Sequence, residues 1–380
     1  MSVRPGPDTT APDPVFIVGL YKNGTSWLLS ALAAHPQFAA LRELDVLRSV
    51  AGRDGRTLLP AHVRLANVFG KSAFCALKAE QLAQAERDSV YRSPAPQAIA
   101  ALRKLVQADS RGVPSAAGRP MSFLNFEPAL LERAFAALRD AGTPALAMDG
   151  FLAALAPGYP AQRRLVLKGA DQVLCFDALQ GWRPGAPKIA IVRDGRDAAV
   201  SAFHYRRVMR AERMAWHHGH LSFVKPFAVA RAAAIGGITA LRRIGGYGSD
   251  WRLGRSMSVW ADRVRRVLAA AERGELQVLR YEDLLRDFEG EFGRLLARLG
   301  ADHSAATVAA AAKASSFEVM SGRPRGVSGE SVVRKGVAGE WREALTARDQ
   351  ALAWRMAGRE LAAMGYSRDG EPGVFRARGP

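Results

Sequence analysis

A short apolar run followed by a glycine-bearing loop most constrains how this chain can fold. In VFIVGLYKNGTSW, residues 15–27, an apolar run leads into a loop that begins at Gly19, returns to glycine at Gly24 and continues into a segment compatible with a helix. Backbone N–H groups and the positive end of a helix dipole meet an anion at such a strand–loop–helix unit. The sequence therefore predicts an α/β protein with a phosphate-binding loop after its first strand.

The position of the lysine in this loop separates it from a nucleoside-triphosphate loop. In the GxxxxGK pattern the lysine follows the second glycine and reaches the terminal phosphates. Here Thr25 follows Gly24, and Lys22 lies inside the loop. Lys22 is therefore expected beside the oxygen that links the bound phosphate to the next group, where negative charge develops if that outer group is transferred. A P-loop kinase shares the strand, loop and helix and is kept as an alternative, although Thr25 stands against it.

The rest of the chain alternates short apolar runs with helical segments, which is typical of a mainly parallel sheet flanked by helices. We expect one domain over residues 15–370, with a helical insertion at about 61–141, a disordered N-terminal arm at 1–14 and a flexible tail at 371–380. Helices are expected at 25–34, ended by the proline of HPQ, and at 198–209. Further strands are predicted at 145–148, 164–167, 188–192 and 276–281.

Composition limits the classes of partner. The 380 residues carry 54 Lys and Arg against 36 Asp and Glu, a net charge of +18, which reflects either compositional bias or attraction for an anionic ligand. Without a block of five consecutive basic residues, the sequence is not that of a typical nucleic-acid binder, and without an apolar run of eighteen residues no stable membrane insertion is expected. Two distant cysteines, Cys75 and Cys175, fit a reducing compartment, so a cytoplasmic location is predicted.

Two later segments also carry groups suited to phosphate. In IVRDGRDAAVS, residues 191–201, Arg193 directly follows an apolar strand and Ser201 lies in the next helix, so a guanidinium and a hydroxyl can converge on a second phosphate. In VVRKGVAGEW, residues 332–341, the cationic and flexible sequence Arg334, Lys335 and Gly336 could close over a phosphate.

Taken together and in order, these segments resemble the sulfotransferases that use 3′-phosphoadenylyl sulfate. The match to the cytosolic members runs through YKNGTSW, KIAIVRDGRDAAVS, LRYEDL, SSFEVM and RKGVAGEW, and leaves out mainly the helical insertion. The resemblance implies sulfuryl transfer to an acceptor hydroxyl or amine, with adenosine 3′,5′-bisphosphate as the second product and no metal. A non-catalytic protein that binds nucleotides or nucleic acid is the alternative from another class.

The resemblance also implies a role for each matching residue. Arg193 and Ser201 would grip the 3′-phosphate, with Asp194 and Asp197 beside that site. Tyr281 and Ser315 would contact the adenine, on which Trp27 would stack. The phosphosulfate end would be held by Lys22, Asn23, Gly24, Thr25 and Ser26, and the lid over the cofactor would consist of Arg334, Lys335 and Gly336.

The general base is where this chain departs from the cytosolic pattern. Those enzymes have Lys, any residue, His at the end of a strand, whereas RLVLKGADQ supplies Lys168 but has Ala170 at the histidine position. The stretch HPQFAALRELD instead resembles the tyrosylprotein and related bacterial sulfotransferases, in which a glutamate just beyond the first helix is the base. That residue would be Glu43, although it could equally be a surface residue paired with a neighbouring arginine. Asp149 is the second candidate.

The acceptor has no signature in the sequence. It could be a small molecule, a glycan, a lipid or a peptide, and nucleic acid is not expected; oligomeric state is open. WHHGH contains His217, His218 and His220, which we interpret as loop histidines that could touch substrate, because no carboxylate stands at metal-ligand spacing.

Overall fold

A parallel five-stranded sheet forms the centre of the protein. The computed structural model describes residues 13–41, 47, 50–52, 55–61, 64, 126–170, 172–211, 250–327 and 335–369. The predicted fold class is confirmed, and one strand, β2, was not predicted. The strands are β1 (Val15–Gly19), β2 (Phe38–Leu41), β3 (Arg164–Ala170), β4 (Lys188–Val192) and β5 (Gln277–Arg280).

The strand order places β1 and β4 at the point where the direction of winding reverses. The sheet runs β2-β3-β1-β4-β5, and every neighbouring pair is parallel. From β1 the chain builds β2 and β3 on one side and then β4 and β5 on the other. Ligands of open parallel sheets bind beyond the carboxyl ends of the strands at such a reversal. The loops that follow β1 and β4 are therefore positioned to form one site.

Both faces of the sheet are buried, as parallel sheets require. Along β1, Phe16 and Val18 face one apolar cluster, whereas Val15 and Ile17 face the other. All four side chains are 0–1% exposed. Burial of an aliphatic or aromatic side chain of this size contributes roughly 1.5–3 kcal/mol, so the strand that begins the phosphate loop is firmly fixed.

Helices cover the two faces. In the described residues one face is packed by α1, α8 and α9, and the other by α2, α3, α6 and α12. The helices, labelled here in chain order, are α1 (Thr25–Ala34), α2 (Pro128–Asp140), α3 (Pro144–Leu155), α4 (Phe176–Trp182), α5 (Gly195–Ala211), α6 (Asp250–Glu272), α7 (Tyr281–Arg286), α8 (Phe288–Arg298), α9 (Ala305–Ala314), α10 (Phe317–Ser321), α11 (Trp341–Ala344) and α12 (Ala347–Ala363).

The strand predicted at residues 145–148 is wrong, because these residues belong to α3. Thr143 is the N-cap of this helix, and its side chain accepts a hydrogen bond from the backbone N–H of Leu146. Pro144 occupies the first turn, where its fixed φ suits a helix and its missing N–H costs nothing. A short apolar run fits a strand or a buried helix equally, and the Thr-Pro start signal decides for the helix.

One predicted helix agrees with the structure. The helix expected at 198–209 is present, but it begins three residues earlier at Gly195, with Asp197 in its first turn. The helical insertion expected at 61–141 stays a prediction, because residues 65–125 lie outside the described residues and only α2 is described at its end. The expected arm and tail fall almost entirely outside them as well.

Candidate functional site

The loop after β1 has the tight geometry expected of an anion-binding loop. Gly24 is the N-cap of α1 at φ 94°, and a Cβ there would lie 2.6 Å from the ring of Tyr281. A Cβ on Gly19 would lie 2.4 Å from the methyl group of Thr25. Both positions therefore require glycine. The N–H groups of Trp27 and Leu28 donate to the carbonyl of Gly24. Those of Thr25 and Ser26 precede them at the start of α1, where a helix offers N–H donors to an anion.

Two lysines flank this loop. Lys22 has a left-handed backbone, φ 64°, and its ammonium group lies 4.7 Å from the ring centre of Tyr205. Lys168, on the neighbouring strand β3, is 3% exposed and donates a hydrogen bond of 2.9 Å to the hydroxyl of Ser26. The left-handed backbone of Lys22 is strained for a residue other than glycine. Strain of this kind is found mainly at functional sites, where the surrounding structure imposes it. The loop thus combines helix N–H groups with two cationic side chains.

The loop after β4 is joined directly to the loop after β1. The side-chain oxygen of Asn23 accepts a hydrogen bond of 2.7 Å from the backbone N–H of Arg193, and Asn23 is fully buried. The side-chain amide of Asn23 also donates to the carbonyl of Tyr21, at 2.9 Å. Because Asn23 directly follows Lys22, this bond holds the loop expected at the phosphosulfate against the loop expected at the 3′-phosphate.

The guanidinium of Arg193 is held by three neighbours. It donates to the carbonyl of Val337 at 2.7 Å, lies 3.6 Å from the carboxylate of Asp197, and faces the ring of Tyr281 at 4.8 Å. Burial lowers the pKa of Arg193, but the surrounding negative groups, Asp197 foremost, raise that pKa to above its ordinary value. Arg193 is therefore a permanently charged and oriented cation.

Aromatic rings lie next to this cation. Trp27 meets Tyr281 edge to face at 5.4 Å between ring centres and contacts Phe288 at 5.6 Å. The structure thus brings Trp27, Tyr281 and Arg193 together.

Ser315, which is expected at the adenine, lies close in the chain to a residue that packs against the predicted lid. Ser315 ends α9, is fully buried, and donates its hydroxyl to the carbonyl of Ala311 at 2.8 Å. Gly336 has φ 68°, and a Cβ there would lie 2.3 Å from the ring of Phe317, two residues after Ser315. The ammonium of Lys335 lies 3.2 Å from the carboxylate of Glu340. The half-buried Ser201 lies in α5, and Arg334 falls outside the described residues.

Two buried carboxylates near Arg193 are Asp197, which was expected beside the 3′-phosphate site, and Glu282, for which the sequence indicated no role. Asp197 accepts hydrogen bonds from the backbone N–H groups of Gly339 and Trp341, at 2.7 and 2.9 Å. Glu282 accepts from the backbone N–H of Asp194 at 3.0 Å and from the hydroxyl of Tyr366 at 2.6 Å. The segments that these bonds join are far apart in the chain, so no local pattern indicated the contacts.

Burial favours the protonated form of two carboxylates here, Glu282 and Asp194. It raises the pKa of Glu282 to about 7 and also raises the pKa of Asp194, although Arg196 at 2.7 Å opposes the rise at Asp194. The guanidinium of Arg196 in turn lies 3.6 Å from the ring centre of Trp341. A carboxylate that changes charge near neutral pH therefore lies under the turn that carries Arg193.

Of the two candidate bases, Asp149 lies within the described residues and Glu43 does not. Glu43 lies outside the described residues, as do His217, His218 and His220. Asp149 lies in α3, where its carboxylate accepts from the indole N–H of Trp182 at 3.0 Å and from the guanidinium of Arg183. The backbone of Ala170, which stands at the cytosolic histidine position, pairs with that of Gly19 at the start of the phosphate loop.

Neither a metal site nor a membrane span is found in the described part of the chain. No three His, Cys, Asp or Glu side chains there are grouped so as to hold a metal ion. Every helix in the same residues is too short or too polar to cross a bilayer.

Comparison with protein-family models gives two matches that overlap along the chain. The model described as "Sulfotransferase family" matches residues 14–234, and that described as "Sulfotransferase domain" matches residues 179–365. No curated protein matches the chain in sequence.

Solved structures similar to this chain include three sulfotransferases. Mouse sulfotransferase SULT7A1 complexed with PAP is 16% identical, with a TM-score of 0.43 over 92% of this chain and 84% of that one. STF9 from Mycobacterium avium is 14% identical, with a TM-score of 0.46 over 96% and 80%. The sulfotransferase domain of the Synechococcus PCC 7002 olefin synthase is 16% identical, with a TM-score of 0.44 over 93% and 96%.

Proposed function

Because this chain belongs to the sulfotransferase family, we propose that it transfers a sulfuryl group from 3′-phosphoadenylyl sulfate to a hydroxyl or an amine of an acceptor. The single observation that carries the proposal is the hydrogen bond between Asn23 and the backbone of Arg193. This bond joins two anion-binding elements that lie 170 residues apart in the chain. The sulfuryl donor 3′-phosphoadenylyl sulfate has a phosphosulfate at one end and a 3′-phosphate at the other, so it can occupy both elements at once.

The residues at the phosphosulfate end supply charge stabilisation. The acceptor oxygen or nitrogen forms a bond to sulfur while the bond between sulfur and the bridging phosphate oxygen breaks, so negative charge develops on the departing phosphate. Lys22, the N–H groups at the start of α1 and the hydroxyls of Thr25 and Ser26 bind that charge. Lys168 orients Ser26 through its 2.9 Å hydrogen bond and adds a second cation. Donors fixed in advance stabilise a developing charge without reorganisation, and these cations fill the place that a metal has in nucleoside-triphosphate enzymes.

The residues around Arg193 recognise the adenosine 3′-phosphate end. Arg193 and Ser201 bind the 3′-phosphate, Trp27 stacks on the adenine, and Tyr281 and Ser315 contact it. The lid of Arg334, Lys335 and Gly336 closes over the cofactor. Support comes from the placement of Gly336 against the segment that follows Ser315 and from the ring of Tyr281 beside Arg193.

The acceptor proton is taken by Glu43, with Asp149 as the other candidate. A carboxylate at the mouth of the phosphate loop serves as a general base when partial burial raises its pKa. Asp149 is less suited, because Trp182 and Arg183 already donate to its carboxylate. The acceptor itself is a small molecule, a glycan, a lipid or a peptide, and the proposed location is the cytoplasm.

Calorimetry with adenosine 3′,5′-bisphosphate tests the proposal. We expect the wild-type protein to bind this product without added metal and more tightly than ATP with Mg²⁺. Arg193→Ala should weaken binding of the bisphosphate by about 10- to 10²-fold, since a hydrogen bond to a charged group contributes ~1.5–3 kcal/mol. The exchange Arg298→Ala, on the outer side of α8, is the matched control. Equal or tighter binding of ATP with Mg²⁺ would favour a kinase instead, and steeply salt-dependent binding of duplex DNA without preference for the bisphosphate would favour a nucleic-acid-binding protein.

A further inference from the structure

The carboxylate of Asp197 ties the segment that contains Gly339 and Trp341 to the start of α5. It is the third residue of α5 and is 1% exposed. One oxygen accepts from the N–H of Gly339 at 2.7 Å and the other from the N–H of Trp341 at 2.9 Å. Both oxygens are therefore occupied by donors that lie more than 140 residues further along the chain.

The same segment is bound a second time, by Arg193. The guanidinium of Arg193 donates to the carbonyl of Val337 at 2.7 Å and lies 3.6 Å from Asp197. Arg193 thus binds a carbonyl of the segment while Asp197 binds two of its N–H groups. These three bonds fix residues 337–341 directly over the side chain that is proposed to bind the 3′-phosphate.

A buried carboxylate is an unfavourable neighbour for a phosphate site. By Coulomb attraction alone, Arg193 would bind a dianionic phosphate more strongly if Asp197 were neutral. A carboxylate at this place must therefore contribute something other than charge attraction. Its location at a helix N-terminus and its two N–H donors stabilise it there, and its contacts indicate that the contribution is the position of Arg193 and of the segment above it.

We propose that Asp197 is a positioning residue, which fastens residues 337–341 over Arg193 so that Arg193 and the adjoining Lys335 and Gly336 act on the same 3′-phosphate. This inference rests on the proposed sulfotransferase function. The three bonds are all made within the chain, so they order residues 337–341 without any contact to the nucleotide. Binding then costs less ordering free energy than closure of a free loop would.

The test is the discrimination between adenosine 3′,5′-bisphosphate and adenosine 5′-phosphate, which differ only in the 3′-phosphate. In Asp197→Asn the amide can accept only one of the two N–H groups, and an unsatisfied buried donor costs roughly 1–3 kcal/mol. We expect the affinity for the bisphosphate to fall at least about tenfold, equivalent to ~1.4 kcal/mol, whereas the affinity for adenosine 5′-phosphate changes by less than about twofold. Asp262→Asn, a partly exposed carboxylate of α6 paired with Arg266 at 3.3 Å, should change neither affinity.

Three outcomes would overturn the inference. A tighter bisphosphate complex in Asp197→Asn would show that the charge of Asp197 only repels the phosphate. An unchanged ratio of the two affinities, with or without a lower melting temperature, would leave Asp197 a purely structural role. If the wild-type protein itself did not discriminate between the two nucleotides, the proposed function would fall together with the inference, whereas the first two outcomes leave that function intact.

A second pair of variants covers the case in which Asp197→Asn does not fold. Gly339 has φ 81°, a backbone conformation in which a residue with a Cβ is strained, so Gly339→Ala disturbs the fastened segment from its own side. Gly322 has φ 70° with no atom within 4 Å of an added Cβ, so Gly322→Ala carries the same backbone strain away from the segment. We expect Gly339→Ala to lose the discrimination and Gly322→Ala to keep it. Equal discrimination in both variants would contradict the proposal.

Discussion

The exchange Glu282→Gln should alter how the stability of this protein depends on pH. Glu282 is 5% exposed, accepts hydrogen bonds from Asp194 and Tyr366, and has a pKa raised by burial to about 7 from an ordinary 4.5. The charged groups that face it are Arg193, which lowers that pKa, and Asp194, which raises it. Glutamine keeps the shape and can still accept from the N–H of Asp194, but it does not titrate.

The direction of the pH effect on stability follows from the pKa of Glu282 in the unfolded chain, 4.5, and in the folded protein, about 7. Between pH 4.5 and 7 the folded protein keeps a proton on Glu282 that the unfolded chain has already lost, so the contribution of Glu282 to stability falls as the pH rises through this interval. One pKa unit corresponds to about 1.4 kcal/mol, which gives a loss of ~2–3 kcal/mol between about pH 5 and pH 8. Burial also raises the pKa of Asp194, so Asp194 contributes a loss of stability of the same sign in both proteins.

Urea unfolding at several pH values between 5 and 8 measures this effect. The free energy of unfolding of Glu282→Gln, minus that of the wild type, should increase by ~2–3 kcal/mol from the lowest pH to the highest. Glu289→Gln, an exposed glutamate of α8, is the control and should follow the wild-type curve. Parallel curves for Glu282→Gln and the wild type would show that Glu282 is ionised throughout and would refute the reasoning.

The other predictions concern the phosphate loop and the base. Gly24→Ala places a Cβ 2.6 Å from the ring of Tyr281 at φ 94°, so it should weaken bisphosphate binding in calorimetry by about tenfold or more. Gly300→Ala, at φ 64° with no atom near an added Cβ, should leave that affinity unchanged. Equal effects of the two exchanges would show that contact with Tyr281 is not the cause. Glu43→Gln should leave that affinity nearly unchanged but lower turnover by at least roughly 10²-fold, followed as bisphosphate release with a panel of phenols, alcohols and sugars. Asp149→Asn is its comparison, and a loss of turnover there instead would reassign the base.

Local signals were sufficient for the elements that depend on neighbouring residues. The bounds of α1 follow from Gly24 before it and Pro36 after it, and β4 begins directly after Pro187. Glycine allows the left-handed turn that starts α1, and proline stops a helix. The apolar run at 145–148 was not enough to tell a strand from a helix. Thr143 and Pro144 before it are helix-start signals, and the run is helical. The strand β2 was missed because its four residues FAAL carry no alternation that separates a strand from a helix.

The sequence by itself determined the phosphate loop, the class of fold and the residue types that suit a phosphosulfate nucleotide, because each depends on a few consecutive residues. Only the tertiary structure decided that Asn23 binds the backbone of Arg193 and that Asp197 binds the segment at Gly339. Those contacts join residues more than 140 positions apart. Parallel strands place the ends of distant segments side by side, and no spacing along the chain encodes which buried donor then meets which acceptor.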